Sequence, residues 1–228
     1  MCYVIKYRFL NSRIPVYHKK TDFATLNLPL ILASASPQRK ELLQEFGFAF
    51  ETILPDDSAE DDRRLGEPVE EYVRRLALQK AKNVADKRER GIFIGCDTIV
   101  LCGRDVLEKP ADRDDARRMI MQLRGQVHQV FSGLCLLVKE TGQEIRIFIE
   151  TATTQLLMQP IADGELEAYL DTEIWQGKSG AFGYQDCRDW ISILEGSESN
   201  VVGLPMELFR EMYANADTLG SGHFGDML

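Results

Sequence analysis

The apolar run Ile92-Phe93-Ile94-Gly95-Cys96 and the run Thr98-Ile99-Val100-Leu101-Cys102 read as one buried strand with a single acid, Asp97, at its middle. Upstream, Leu30-Ile31-Leu32-Ala33 reads as a short buried strand. Ser36 then stands where it can cap a helix, with Pro37 at the first helical position and Leu42, Leu43 and Phe46 on the inner face. From Val69 onward, Tyr72, Val73, Leu76, Ala77, Ala81 and Val84 follow a helical stripe that ends before Gly91, and Lys80 falls inside it. Beyond the Asp97 strand, Cys102-Gly103-Arg104-Asp105 is a turn into Val106-Leu107, and Asp112 caps a helix carrying Ala116, Met119, Ile120 and Leu123. Residues 127–131, 134–138 and 144–157 show strand patterns of an antiparallel sheet, with Thr141-Gly142 as a turn. A short helix follows around Leu166, Tyr169 and Leu170, and Asn200-Val201-Val202-Gly203-Leu204-Pro205 reads as a strand leaving for a helix. Strands and helices mix without strict alternation, which predicts an α/β fold with a mixed sheet.

An acid inside a buried strand needs a cation, a metal or several donors to offset its desolvation. Candidate cations stand at Arg39, Lys80 and Lys109. Arg39 lies with Ser34 and Ser36 where a strand turns into a helix, so free N–H groups, hydroxyls and a guanidinium can converge on a phosphate; a generic capped helix explains Ser36 and Pro37 alone. Lys80, in an apolar stripe, must snorkel to water or meet an anion. Lys109 precedes Pro110, which holds the chain extended there. Acid and cations together point to a phosphate site. The segment from Lys178 to Gln185 has two glycines that permit a tight loop close to a ligand. The run Asp56-Asp57-Ser58-Ala59-Glu60-Asp61-Asp62 is ordinarily a solvated loop, and Glu60 is its candidate metal ligand. No Walker A, GxGxxG, HExxH or GxSxG pattern is present, which removes the common NTPase, dinucleotide, zincin and α/β-hydrolase readings.

Composition narrows the substrate. The 228 residues are 44% hydrophobic and 28% charged, as in a globular protein with one sizeable core. A net charge of −9 argues against nucleic acid and anionic membranes as partners, so a polyanionic substrate must be small and met by local positive charge. No apolar run reaches the roughly 20 residues of a spanning helix. The five cysteines form no CxxC pair and read as reduced thiols; the three histidines are scattered, with His128 in a strand pattern and read as structural. Residues 1–28, basic before Asp22, read as an extension, and residues 214–228 as a disordered tail.

Six motifs in order carry a resemblance. Leu32-Ala33-Ser34-Ala35-Ser36-Pro37-Gln38-Arg39-Lys40-Glu41-Leu42-Leu43, Arg75-Leu76-Ala77 with Lys80-Ala81, Cys96-Asp97-Thr98, Lys109-Pro110, Gly180-Ala181-Phe182-Gly183-Tyr184-Gln185 and Val201-Val202-Gly203-Leu204-Pro205 together resemble the Maf family of nucleoside triphosphate pyrophosphatases. The match spans residues 29–213. It implies an elongated mixed α/β fold, related to inosine triphosphate pyrophosphatases, with two lobes flanking a cleft. It further implies cleavage of a nucleoside triphosphate between its α and β phosphates with a divalent metal, Mg²⁺ or else Mn²⁺. Asp97 then matches the general base or metal-associated acid, while Arg39, Lys80 and Lys109 face the phosphates, and Ser34, Ser36 and Lys178 bind substrate. Glu60 matches the acidic loop with a one-residue shift. Gln38, Thr98 and Gln185 match positions tied to base selection. Thr98 and Gln185 agree with the dTTP and UTP subgroup, whereas Gln38 stands where that subgroup has arginine and the 7-methyl-GTP subgroup has tryptophan. A cytoplasmic enzyme, compatible with a homodimer, is the expectation. CTP or a modified nucleotide as substrate, or a non-catalytic nucleotide-binding regulator of growth or division, are the alternatives. An aspartyl-phosphate phosphatase fails because Ile99 occupies the second acid position of a DxD pair.

Overall fold

The computed structural model describes residues 28–218. The expected extension therefore lies outside the described residues apart from Leu28, which packs against the core.

Seven strands make one mixed sheet in the order β2-β1-β3-β5-β6-β7, with β4 joined to β3 off that path. They are β1 (Leu30–Leu32), β2 (Glu51–Thr52), β3 (Gly91–Cys102), β4 (Asp105–Leu107), β5 (Val127–Lys139), β6 (Arg146–Met158) and β7 (Ile191–Glu195). The helices are α1 (Pro37–Glu45), α2 (Val69–Ala85), α3 (Arg113–Leu123), α4 (Asp163–Asp171), α5 (Glu198–Val202) and α6 (Met206–Thr218). The strands β1 and β2 run parallel, as do β1 and β3; the remaining pairs are antiparallel.

The three long central strands, β3, β5 and β6, span roughly 40 Å at the usual rise per residue. Alternation along β3 divides the side chains between two faces. Phe93 and Ile99 pack under α2, with Ala77, Ala81 and Val84 against the first and Val73 and Leu76 against the second. On the opposite face, Ile92, Ile94 and Cys96 join α1 and α6 in one core cluster, while Val100 and Cys102 join α3 and α4 in another. Two cores side by side on this face of one continuous sheet are the physical basis of the two lobes.

The seat of α2 depends on two glycines. A Cβ on Gly95 would lie 1.9 Å from the Ala77 carbonyl oxygen, and one on Gly133 2.1 Å from that of Val73. The helix backbone thus rests directly on β3 and β5 beside Asp97, whose register partner is Gly133.

Local chemistry explains the caps. The Ser36 hydroxyl accepts from the Arg39 N–H at 3.4 Å with Pro37 at the helix start, and Asp112 accepts from the Asp115 N–H at 2.8 Å.

Three expectations are corrected. The patterns at 127–131 and 134–138 belong to one strand, β5; the polar Ser132-Gly133 break is no turn, since these residues pair with Thr98 and Asp97 in unbroken register. Residues 200–202 end a short helix, α5, rather than a strand: Ser197 caps it by accepting from the Asn200 N–H at 3.3 Å, and the β-branched Val201-Val202 pair imitates a strand. Helix continues past residue 213 as far as Thr218 in α6, with Ala216 fully buried in the core, and residues 219–228 lie outside the described part.

Candidate active site

One edge of β3 pairs with β5 from Gly91 to Leu101 without interruption. The other edge is shared. β1 takes Ile92–Ile94 and β4 takes Val100–Cys102, so the ladder registers leave residues 95–99 without a partner strand on that side. A parallel strand ending in the α1 loop and an antiparallel strand returning toward Glu108 and Lys109 meet across this gap. Asp97 and Thr98 stand in it on opposite faces, and residues from both faces of the sheet reach the same opening.

On the α2 face, the Asp97 carboxylate accepts from the Lys80 ammonium at 2.6 Å, and Glu60 lies 2.9 Å from the same nitrogen. Lys80 is 5% exposed and Asp97 13%, so this pair is largely desolvated. The anion that Lys80 needed is Asp97, and snorkelling to water is ruled out by its burial. Glu60 is half-exposed at the rim. Burial opposes ionisation of Glu60, yet the Lys80, Lys109 and Arg39 charges together hold its carboxyl below the usual range. Those three cations, on α2, after β4 and on α1, therefore act on one point in space.

On the other face, the Arg39 guanidinium is locked by three acceptors. Its Nε donates to the Gly203 carbonyl at 2.8 Å, Nη1 to Ser34 Oγ at 3.0 Å and Nη2 to Thr98 Oγ1 at 3.2 Å. Thr98 Oγ1 also lies 2.8 Å from Ser132 Oγ and 3.3 Å from the Gly203 carbonyl. The Thr98 hydroxyl is thus occupied by the protein. Ser34 is buried and accepts from the Ser36 N–H, while Ser36 Oγ donates to Gln38 Oε1 at 3.0 Å.

The glycine-containing loop closes the gap from the side. Ser179 donates to the Thr98 carbonyl at 2.7 Å, and the Gly180 N–H donates to the Glu108 carbonyl at 3.0 Å. Gly180, with φ of 71°, supplies the left-handed residue that the tight loop requires. Lys178 is bonded to Asp186 and not to the Asp97 cluster, and Gln185 is exposed. Lys109 is exposed at the mouth, beside Glu108, whose carboxylate accepts from the Tyr72 hydroxyl at 2.8 Å. Burial and this bond raise the Tyr72 phenol above its ordinary value.

A family model described as Maf-like protein matches residues 29–216. The chain belongs to the Maf family. It is 41% identical over 187 residues to a dTTP/UTP pyrophosphatase of Rhodopirellula baltica, covering 82% of this chain and 81% of that relative. A dTTP/UTP pyrophosphatase of Koribacter versatilis is 40% identical over 195 residues, covering 85% and 97%, and one of Ruminiclostridium cellulolyticum 35% over 184 residues, covering 80% and 93%.

Within this Maf domain, some polar partners of the site escaped the sequence reading. Ser132 carried a signal, as the one hydroxyl of β5, next to the apolar run from Leu134 to Val138. The Gly203 carbonyl carried none, because a main-chain acceptor is the same in every sequence. The Tyr72 hydroxyl was hidden by its place on an apolar stripe, where it reads as core.

Proposed function

We propose that this Maf-family chain hydrolyses nucleoside triphosphates between the α and β phosphates, releasing the monophosphate and pyrophosphate, with dTTP and UTP favoured. The observation that carries the reading is the Lys80 ammonium held between Asp97 and Glu60 in the open stretch of the β3 edge. A carboxylate at the open stretch of a strand edge, with the charges of cations from three elements felt there, is the equipment that phosphoryl transfer needs, because its catalysis is largely positioning and charge stabilisation.

Water attacks the α phosphorus, the bond to the bridging oxygen breaks, and pyrophosphate leaves. Asp97 orients the attacking water and accepts its proton. Lys80 fixes Asp97, and since Asp97 and Glu60 engage two of its three donors, one N–H remains for a phosphate oxygen. Arg39 spends three of its five N–H groups on Gly203, Ser34 and Thr98, which pre-aligns the rest toward phosphate. Lys109 meets charge at the mouth.

The donor set suits a hard cation. Mg²⁺ binds through one or two carboxylates plus substrate phosphates and retains several waters, and Asp97 and Glu60 provide such a pair around one ammonium. Bound by these two residues, Mg²⁺ would withdraw charge from the phosphate oxygens.

The base preference is supported by the names of the relatives, each a dTTP/UTP pyrophosphatase, and by the exposed Gln185 amide, which is available to a base edge. Four described cysteines are free and buried, in keeping with a reducing compartment such as the cytoplasm. Among the described residues no helix is long and apolar enough to cross a membrane.

Pyrophosphate release from dTTP, UTP, CTP, ATP and 7-methyl-GTP, each with Mg²⁺, tests the proposal. The expected ranking places dTTP and UTP first. CTP or a purine as best substrate overturns the base preference alone. Tight binding with no pyrophosphate from any nucleotide overturns the activity and favours the regulator.

A further inference from the structure

The acidic segment that brings Glu60 to Lys80 has little hydrophobic anchorage. Ala59 is buried, but Leu65 is wholly exposed at 107%. Polar bonds to α2 take the place of a core. Arg75, Gln79 and Asn83 recur every four residues along one face of that helix, Lys87 follows just past its end, and all four reach the segment. Arg75 Nε and Nη2 bond the two Glu67 carboxylate oxygens at 2.7 and 2.8 Å, and Nη2 also reaches the Asp62 carbonyl at 3.0 Å. Gln79 Nε2 donates to Asp61 Oδ2 at 2.6 Å. The Asp56 N–H donates to Asn83 Oδ1 at 2.9 Å, Asn83 returns a bond to Asp56 Oδ2 at 3.1 Å, and Lys87 pairs with Asp56 at 2.8 Å.

These contacts are unequal. Lys87 and Asp56 are a screened surface pair of small worth. Arg75 and Glu67 are 14% and 9% exposed and joined as a bidentate fork, the strong form of ion pair. Hydrogen bonds from Arg75 outweigh the opposing effect of burial and hold the Glu67 carboxyl down to about 2. The guanidinium faces Glu67, Asp62 and Asp61, and its remaining nitrogen, Nη1, lies 3.6 Å from Asp61 and donates to Gln79 Oε1 at 3.5 Å, so its donors are spent on the segment and on Gln79 and not offered to a phosphate.

We propose that Arg75, seconded by Gln79 and acting through Glu67 and the Asp61-Asp62 pair, is a positioning residue that fastens the segment of Glu60 along α2 and so holds Glu60 over Lys80. The inference rests on the catalytic reading of Asp97, Lys80 and Glu60 given above, and adds the element that makes Glu60 available to them.

The test uses the full chain with Arg75→Met, Arg75→Lys, Glu60→Gln and the Arg75→Met/Glu60→Gln double variant. Two readouts are taken: pyrophosphate release from dTTP, and the rate of tryptic scission after Arg63 and Arg64, which lie inside the segment. Loss of a supporting partner ordinarily costs about 10- to 100-fold in activity, and Arg75→Met is expected to lower kcat by such a factor. The double variant should lose no more than the larger single loss, because a Glu60 that is absent has no position to lose. Scission should quicken by roughly tenfold or more as local opening becomes easier, with Arg75→Lys intermediate, since lysine keeps the charge but not the fork. Losses that multiply in the double variant would show that Arg75 acts on substrate independently and overturn the proposal. Unchanged scission would overturn it as well. If Arg75→Met fails to fold, Gln79→Ala serves in its place, with the same direction and a smaller effect. A fully active Glu60→Gln beside an inactive Asp97→Asn would sink the proposal and the part given to Glu60 in the site, and leave the roles of Asp97 and Lys80 intact. A fully active Asp97→Asn would sink the catalytic reading, and scission would still judge the strap.

Discussion

Asp97 and Lys80 are each tolerated in a buried place because the other is there. Removing the Lys80 charge leaves Asp97 without its buried cation, a loss that in buried pairs costs about 3–5 kcal/mol, whereas removing the Asp97 charge leaves Lys80 its pairing with Glu60. Asp97→Asn keeps the shape of the side chain but cannot take a proton, so turnover should fall at least about 100-fold, the lower bound of general-base contributions. Pyrophosphate release and a thermal melt check this, and full activity in a folded Asp97→Asn protein would remove Asp97 from the reaction. Thr98 makes a sharper case. The resemblance assigns it to base selection, yet its hydroxyl is taken up by Arg39, Ser132 and the Gly203 carbonyl. Thr98→Val should therefore depress kcat/KM for dTTP, UTP and CTP by a common factor, through a loosened Arg39, and leave their ranking alone. A changed ranking at unchanged overall activity would return Thr98 to direct contact with the base. At this scale the sequence was informative where a residue type conflicts with its surroundings, as an acid in a strand or a lysine in an apolar stripe does. It was silent where the partner is a main-chain carbonyl, as at Gly203.

At the scale of elements, the decisive contact is α2 on the sheet. Gly95, two residues before Asp97 in β3, and Gly133, opposite Asp97 in β5, remove the side chains that would hold the helix away, and Lys80 reaches Asp97 from that close seat. Gly95→Ala and Gly133→Ala would each press a methyl onto main-chain atoms that cannot rotate aside. Overpacking of this kind costs about 1–3 kcal/mol and occasionally more. Both variants should melt earlier than the parent and lose turnover along with stability, and an unchanged melt would show that α2 shifts freely. The same helix carries a pH signature. The folded-state pKa of Glu67 is depressed from 4.5 to about 2, so the stabilisation from its ionised form is fully present above 4.5 and is lost as pH falls toward 2. Glu67→Gln should thus be less stable than the parent near neutrality, with the gap in Tm narrowing between those values; a gap constant across that range would show that Arg75 does not sustain the charge. The stripe from Val69 to Val84 was legible as a helix from its period. The glycine seat was not, because a glycine in a strand pattern signals a close approach without naming what approaches.

For the whole molecule, the site follows from topology. The strands β3 and β5 carry both cores, and the opening lies where β1 has ended and β4 has yet to begin on the β3 edge. No local pattern reveals that gap, because it arises from the lengths of two strands that are distant in sequence and differ in direction. The mixed α/β class and the order of the motifs were legible, since each motif sits at an element boundary with its own cap or turn chemistry; how they converge was supplied only by pairing. Among the described residues, 28–218, lie the sheet strands, the core clusters and every residue placed in the site, and the family match begins at residue 29. A chain lacking residues 1–27 retains Leu28 against its core cluster and loses no site residue. Its kcat/KM for dTTP should equal that of the full chain, and its melt should remain a single cooperative transition at the same temperature. A lower Tm with unchanged kcat/KM would mean that the deleted stretch packs on the described core away from the cleft. A lower kcat/KM at unchanged Tm would mean that it contributes to the site itself, and the assignment of the whole site to the described residues would then be wrong.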